Sequence, residues 1–340
     1  MADFTDVYLI TGFLGSGKTT FLNRLIRQFP RNRKLMVLMN EFGEIGVDGT
    51  LVAGEDLDIL EISKGSIFCA CVKTDFIKGL YEIAQKIKPD ILLIESTGVA
   101  NPVDLKKDLN LPIFKGRFQF KEQFCIIDAA NFLDAFQVYA SVEKQISSST
   151  RFIINKIDLA SREQVEEIKN LVKKYHPDPQ FYEATYADIN VAELLSLEQP
   201  LEGARYEPGR PMSEEELERY VEELLSDIHE SLTPPDLLMS ASFFWKGGAP
   251  SDLREMTARL PREVLRVKGF VQIEGRLHLY NYVMGQCTIE MQDVPVKKNQ
   301  INVLVFIAPP QIMPAVEKLM GDFNFVKTGE INRQEFFQKR

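Results

Sequence analysis

The chain has 340 residues, 45% of them hydrophobic and 26% charged, with a formal net charge of −9 at pH 7. These are ordinary globular proportions, which exclude a disordered chain, a fibrous repeat and a coiled coil, and the length predicts about two domains. The acidic balance argues against general nucleic-acid binding, which needs a basic footprint, but not against one phosphate-bearing ligand held at a local site.

The first part of the chain alternates strand and helix patterns. Val7 to Thr11 is a short apolar run, and Phe21, Leu22, Leu25, Ile26 and Phe29 then share a helical face. Leu35 to Met39 and Asp58 to Ile62 read as strands. Phe76, Leu80, Ile83 and Ile87 mark a helix. Ile91 to Ile94, Phe124 to Ile127 and Phe152 to Ile154 are continuous apolar strands, the pattern of parallel strands covered on both faces. Ser161 and Gln164 have capping-box spacing ahead of the helix stripe Val165, Ile168 and Val172, and Phe181 to Ala184 is the last strand of the set. The predicted fold class is α/β, a doubly wound, mostly parallel sheet.

Residues 199–211, rich in Pro, Gly and charge, read as a linker between a first domain (1–198) and a second (212–330), with 331–340 as a tail. An acidic helix is predicted from Ser213. Strands follow at Leu237 to Trp245, Val264 to Ile273, Arg276 to Met284 and Val303 to Ala308, with helices at Ser251 to Leu260 and Gln311 to Met320. Strands that follow one another without a helix between them predict a smaller α+β domain with an antiparallel sheet.

Gly12-Phe-Leu-Gly15-Ser16-Gly17-Lys18-Thr19 matches GxxxxGK[ST] between a predicted strand and a predicted helix. Glycines let consecutive N–H groups turn inward around an anion, and the helix N-terminus adds its positive dipole end. Lys18 is expected at the β- and γ-phosphates, Thr19 on Mg²⁺ and Thr20 at the α-phosphate. Glu95, in Glu95-Ser96-Thr97-Gly98 after a strand, is the carboxylate expected on the Mg²⁺ side, and the Gly98 N–H is expected near the γ-phosphate.

Asn155-Lys156-Ile157-Asp158 follows the strand Phe152 to Ile154. Guanine presents an N1–H and an exocyclic amine on one edge, and a single carboxylate, Asp158, accepts both. Adenine would turn a lone pair toward Asp158 and leave a charge unpaired, so the site is expected to select guanine. The Lys156 stem is expected over the base, Asn155 is expected to tie this loop to the phosphate loop, and Ala184 and Thr185 are candidates for backbone support of the base. A P-loop kinase is a weaker reading, because a kinase need not select guanine.

GFLGSGKTT, NEFGEIGVDG (Asn40 to Gly49), a cysteine pair after Gly65, ESTGVANP (Glu95 to Pro102), IIDA (Ile126 to Ala129) and NKID resemble, in this order, the CobW-like GTPases. Relatives of that family are the nickel-insertion GTPases of urease and hydrogenase. KGFVQIEGRLHLY (Lys268 to Tyr280) resembles the CobW C-terminal domain more loosely. The resemblance implies a slow, Mg²⁺-dependent GTPase that serves as a metal chaperone or metalloenzyme activator, with Asn40 to Gly49 as a nucleotide-responsive segment. The implied partners are guanine nucleotide (GTP or GDP) and a client metalloprotein or cobalamin-dependent enzyme, with a nucleotide-dependent dimer as the oligomeric expectation.

Family members carry CxCC, whereas this chain reads Cys69-Ala70-Cys71-Val72. Cys69 and Cys71 are candidate ligands for Zn²⁺, Co²⁺ or another thiophilic metal, but such ions want about four donors, so Glu41, Glu44 or a second chain would have to help. Without a carried metal, the GTPase would activate its client by conformational work alone. Glu41, Glu44 and Asp48 are the loop acids considered for orienting the attacking water, Glu44 and Asp48 foremost, with Lys18 as the electrostatic catalyst.

Four cysteines do not make a disulfide framework, so a reducing, cytoplasmic setting is expected. The opening MADFTDVYLI does not read as a signal peptide. The longest apolar run, Val303 to Ala308, falls far short of the ~20 residues that a membrane helix takes, so no membrane partner is expected. Cys125, Cys287 and Trp245 read as core, and His176 as a helix C-terminal cap. His278 alternates in RLHLY and is a lesser candidate for facing a partner.

Overall fold

The computed structural model describes residues 4–28, 33–41, 58–63, 70–96, 102–190, 211–226 and 238–328. The chain divides into two compact units. The first holds β1 (Thr5–Thr11), β2 (Leu35–Glu41), β3 (Asp58–Ser63), β4 (Ile91–Glu95), β5 (Phe118–Asp128), β6 (Arg151–Asn155) and β7 (Gln180–Ala184). They form one sheet in the order β3-β2-β4-β1-β5-β6-β7, and the six strands from β2 to β7 in that order pair in parallel. The chain winds from β1 to one side for β2 and β4, then to the other for β5 to β7. That reversal opens a crevice at the carboxyl ends of the strands beside β1.

The central strands are buried nearly along their length, as two-sided cover requires. Every residue of β4 is buried, as is every residue of β1 except Asp6. Helix α1 (Lys18–Gln28) buries Phe21, Leu22 and Leu25, each worth about 1.5–3 kcal/mol of transfer free energy. Helix α2 (Ala70–Glu82) runs on into a π-helical turn, Ile83–Ile87, that ends on left-handed Lys88. Helix α3 (Pro102–Leu109) starts on a proline, whose missing N–H costs nothing in a first turn. Helices α4 (Phe132–Val138) and α5 (Ala140–Ser148) follow β5. Helix α6 (Arg162–Tyr175) carries both bonds of the predicted capping box and ends on His176, whose N–H donates to the Val172 carbonyl.

Helix α7 (Glu214–Ser226) belongs to this first unit, not to the second as the sequence reading has it. Its acidic run is solvated, but Leu217 and Val221 are buried in the same core as Phe76, Ile77 and Leu80. Lys78 pairs with Glu218 at 2.8 Å, and the Tyr81 hydroxyl accepts the Met212 N–H at 2.5 Å.

The second unit is a sheet of β8 (Met239–Trp245), β9 (Arg266–Ile273), β10 (Arg276–Val283), β11 (Gln286–Met291), β12 (Val303–Ala308) and β13 (Phe325–Lys327). The order is β11-β10-β9-β12-β8-β13, and every pairing is antiparallel. One face packs Trp245, Tyr280 and Phe306 against Leu253 and Met256 of α8 (Pro250–Ala258) and Val316 and Met320 of α9 (Met313–Asp322). The predicted α+β class is the observed one. Strand β11 has no continuous apolar run, because it is an edge strand with all of its residues exposed or half-buried. Among the described residues, no helix is long and apolar enough to cross a membrane.

Candidate guanine-nucleotide site

The chain leaves β1 at Thr11 and turns through Gly12 (φ 140°), Gly15 (φ 75°) and Gly17 (φ 105°), a region that L side chains rarely adopt. Space forbids side chains at two of these as well. A Cβ on Gly12 would lie 2.2 Å from the Ile126 carbonyl oxygen, and one on Gly17 would lie 2.4 Å from Asn155 Nδ2. The loop then enters α1, where Phe21 N–H donates to the Gly17 carbonyl at 2.9 Å. The first-turn amides of an α-helix point out of its N-terminus, where they can donate to an anion. Lys18 is buried and folded back across the loop, its Nζ donating to the Gly12 (3.0 Å) and Phe13 (3.1 Å) carbonyls.

Thr19 follows on the first turn of α1, and its hydroxyl donates to Glu95 Oε1 at 3.0 Å. Glu95 ends β4, in register with Ile10 of β1, and is 5% exposed. Ser96 anchors the chain beyond it, with both N–H and hydroxyl donating to the Ile10 carbonyl. A hydroxyl and a carboxylate side by side are hard oxygen donors. They fit Mg²⁺, which is held by one or two protein oxygens with phosphate and water completing an octahedron.

The base side is built from the ends of β5, β6 and β7. Asn155 ends β6, in register with Asp128 of β5 and Ala184 of β7. Its Nδ2 donates to the Ser16 carbonyl at 2.9 Å, and its Oδ1 accepts the Ala187 N–H at 2.8 Å. One side chain therefore ties the phosphate loop to the turn after β7. Lys156 is left-handed (φ 61°), and its Nζ donates to Asp128 Oδ2 at 2.7 Å. Asp128 is buried and also accepts the Ala130 N–H and Asn131 Nδ2, each at 3.0 Å. Asp158 sits exposed in the short turn Ile157–Leu159. Beyond Ala184, the turn closes with Asp188 N–H on the Thr185 carbonyl, and Arg24 of α1 donates to the Tyr186 carbonyl (2.8 Å) and Asp188 Oδ1 (2.6 Å).

Gly12, Gly15, Ser16, Gly17, Lys18, Thr19, Thr20, Glu95, Asn155, Lys156 and Asp158 thus lie along one end of the sheet, with Thr20 and Asp158 exposed. Glu44, Asp48, Cys69 and Gly98 lie outside the described residues, as do the side chains of Glu41 and Cys71. Among the described residues, no cluster of three or more His, Cys, Asp or Glu is placed to hold a metal. Burial pushes the Cys125 thiol up to about 12, and it raises that of half-buried Cys287 as well. Such thiols are poor metal ligands at neutral pH.

Sequence reasoning gave no role to Asp128 or Arg24. Asp128 has a readable signal, an acid at the end of a buried strand (IIDA) ahead of the strand that carries NKID. Arg24 has none, because its partners lie far along the chain, at Tyr186 and Asp188.

Residues 6–183 match the CobW/HypB/UreG nucleotide-binding domain, and residues 241–322 match the cobalamin synthesis protein CobW C-terminal domain. The chain belongs to the CobW/HypB/UreG family. It is 33% identical to the zinc chaperone YeiR of Escherichia coli (strain K12) over 196 residues, 57% of this chain and 58% of that protein. It is 27% identical to the zinc chaperone CobW of a Sinorhizobium species over 304 residues, 79% of this chain and 81% of that one. The crystal structure of zinc-bound YjiA GTPase from Escherichia coli superposes with a TM-score of 0.43 at 18% identity, covering 95% of this chain and 99% of that one.

Proposed function

We propose that this CobW-family chain binds GTP at the carboxyl ends of its parallel strands, hydrolyses it slowly with Mg²⁺, and uses the cycle to deliver Zn²⁺ to a client metalloprotein. The observation that carries the nucleotide reading is the Asn155 bridge. Its bond to the Ser16 carbonyl ties the phosphate loop to the strand end that leads into Asp158, which supports one site with the triphosphate at one end and the purine at the other. Asp158 accepts from the guanine edge, and the Lys156 stem, anchored at its tip by Asp128, covers one face of the base.

On binding, Lys18 leaves the Gly12 and Phe13 carbonyls for the β- and γ-phosphates. Thr20 meets the α-phosphate and the Gly98 N–H the γ-phosphate. Thr19 and Glu95 would hold Mg²⁺, which would supply positive charge to offset that of the phosphates. Hydrolysis then rests on electrostatic stabilisation of the transferring phosphoryl by Lys18 and the loop amides, with Glu44 or Asp48 orienting the water.

The zinc part of the proposal draws on what the relatives YeiR and CobW are named for. Cys69 and Cys71 are the soft donors, with Glu41, Glu44 or a second copy in a nucleotide-dependent dimer completing the set. Calorimetry with GTP and ATP, together with phosphate release, tests the nucleotide reading: GTP is taken up, ATP is rejected and free phosphate appears. A phosphorylated acceptor in place of free phosphate would identify a kinase. Zinc titration of the GDP and GTP forms, with and without Cys69→Ser, tests the cargo. Nucleotide-dependent affinity that the substitution abolishes is the expected result.

Val72 in place of a third thiol favours a second reading, in which the GTPase activates a metal- or cobalamin-dependent enzyme without carrying the metal. Equal zinc affinity in wild type and Cys69→Ser would select it.

A further inference from the structure

We propose that Tyr186 is the second wall of the base site, its ring stacking on the purine opposite the Lys156 stem. The inference rests on the guanine-nucleotide reading of this site and deepens it. Large aromatic side chains are normally buried, yet Tyr186 is 73% exposed. It also holds a left-handed backbone (φ 52°), followed by a second left-handed residue, Ala187 (φ 53°). That conformation is unusual for a bulky residue and persists only where the surroundings impose it.

The surroundings do impose it. The Tyr186 carbonyl accepts from Arg24 Nε at 2.8 Å, the next residue's N–H donates to Asn155 Oδ1 at 2.8 Å, and Arg24 Nη1 holds Asp188 at 2.6 Å. Both clamps come from the nucleotide machinery: Asn155 also grips the phosphate loop, and Arg24 lies on the helix that loop opens. The backbone of the turn is fixed while the ring is left in solvent. The opposite wall is fixed as well, since Asp128 pins the tip of Lys156. β7 lies directly beside β6, with Ala184 in register with Asn155, so Tyr186 projects from the strand end next to the one that carries Lys156 and Asp158. A flat, amphipathic ring held out at that position suits the face of a base.

Stacking reads the face of a base and not its edge, so it adds affinity without choosing guanine. The test compares wild type, Tyr186→Ala and Tyr186→Phe for binding of GTP, GDP and inorganic tripolyphosphate, all with Mg²⁺, together with the melting temperature. Tyr186→Ala is expected to weaken GTP and GDP equally, by about tenfold. Tripolyphosphate binding, the GTP-over-ATP ratio and the melting temperature stay where they are, and Tyr186→Phe behaves as wild type. Unchanged GTP affinity in Tyr186→Ala overturns the proposal. So does an equal loss for tripolyphosphate, which would mark the ring as a support for the loop. A Phe variant as weak as Ala would assign the effect to the hydroxyl and overturn it too. Wild-type chain that takes up no GTP overturns the site reading itself, and that outcome needs no variant to be seen.

Discussion

The two ends of the parallel sheet are built from the same kinds of residues and use them differently. At the amino ends, Asp6 is held by Arg33 (2.9 Å) and Lys121 (3.3 Å), and Asp90 accepts the Lys34 N–H at 2.7 Å. These charges lie near solvent, and salt bridges of that kind contribute little. At the carboxyl ends, Lys18, Glu95, Asp128 and Asn155 are each 6% exposed or less, and their hydrogen bonds run to backbone, to Thr19 of α1 and to Lys156 in the turn after β6. Burying so much polarity is costly unless every group is satisfied. Polar groups concentrated at one end, around a loop of glycines, are what the proposed nucleotide site requires. The other end serves cohesion.

If that contrast is right, the largest effects come from the carboxyl end. Lys18→Ala removes the cation expected on the transferring phosphoryl. Phosphate release should fall by about 100- to 1000-fold, far more than the loss of two buried loop hydrogen bonds takes from the melting temperature. An unchanged rate would leave the contrast without catalytic meaning. Gly17→Ala strikes next, through geometry. Its methyl would sit 2.4 Å from Asn155 Nδ2 on a backbone at φ 105°. Thermal unfolding should show a loss of about 1–3 kcal/mol, and calorimetry should show GTP binding lost as the Asn155 bridge opens. A variant that binds GTP normally would mean that the bridge does not unite the two halves of the site.

The same contrast explains what was readable from the sequence. The phosphate loop and Asn155-Lys156-Ile157-Asp158 are contiguous, and their residue types follow from backbone geometry and hydrogen-bond chemistry, so strand–loop–helix context suffices to find them. The apolar runs of β1, β4 and β6 announce a covered parallel sheet for a similar local reason. The bond from Lys156 to Asp128 and the clamp from Arg24 of α1 to Tyr186 join elements far apart in sequence, and nothing local encodes them. Helix α7 is a case between. Its amphipathic pattern is plain, but which core receives Leu217 and Val221 depends on Phe76, Leu80 and their neighbours, more than a hundred residues earlier. Strand β11 escapes because an exposed edge leaves no apolar signature.

Smaller effects sharpen the contrast. Asp128→Ala strips the acceptor from Lys156, the Ala130 N–H and the Asn131 amide together. A stability loss of about 1–3 kcal/mol is expected in denaturant melts, along with roughly tenfold weaker GTP binding once Lys156 is free to leave the base. Binding of Mg²⁺-tripolyphosphate, which has no base to cover, should hold, and a parallel loss there would make Asp128 a scaffold residue only. The mirror-image change at the other end is Asp6→Asn. It releases Arg33 and Lys121 just as Asp128→Ala releases Lys156, yet the Asp6 carboxylate is 19% exposed where that of Asp128 is 6%. The expected cost is about 1 kcal/mol or less, fading as salt rises, with no change in GTP affinity or phosphate release. A loss of nucleotide binding from Asp6→Asn would show that the amino ends transmit strain through β1 to the phosphate loop. The two ends would then have to be treated as one coupled element, because β1 runs from Asp6 almost to Gly12.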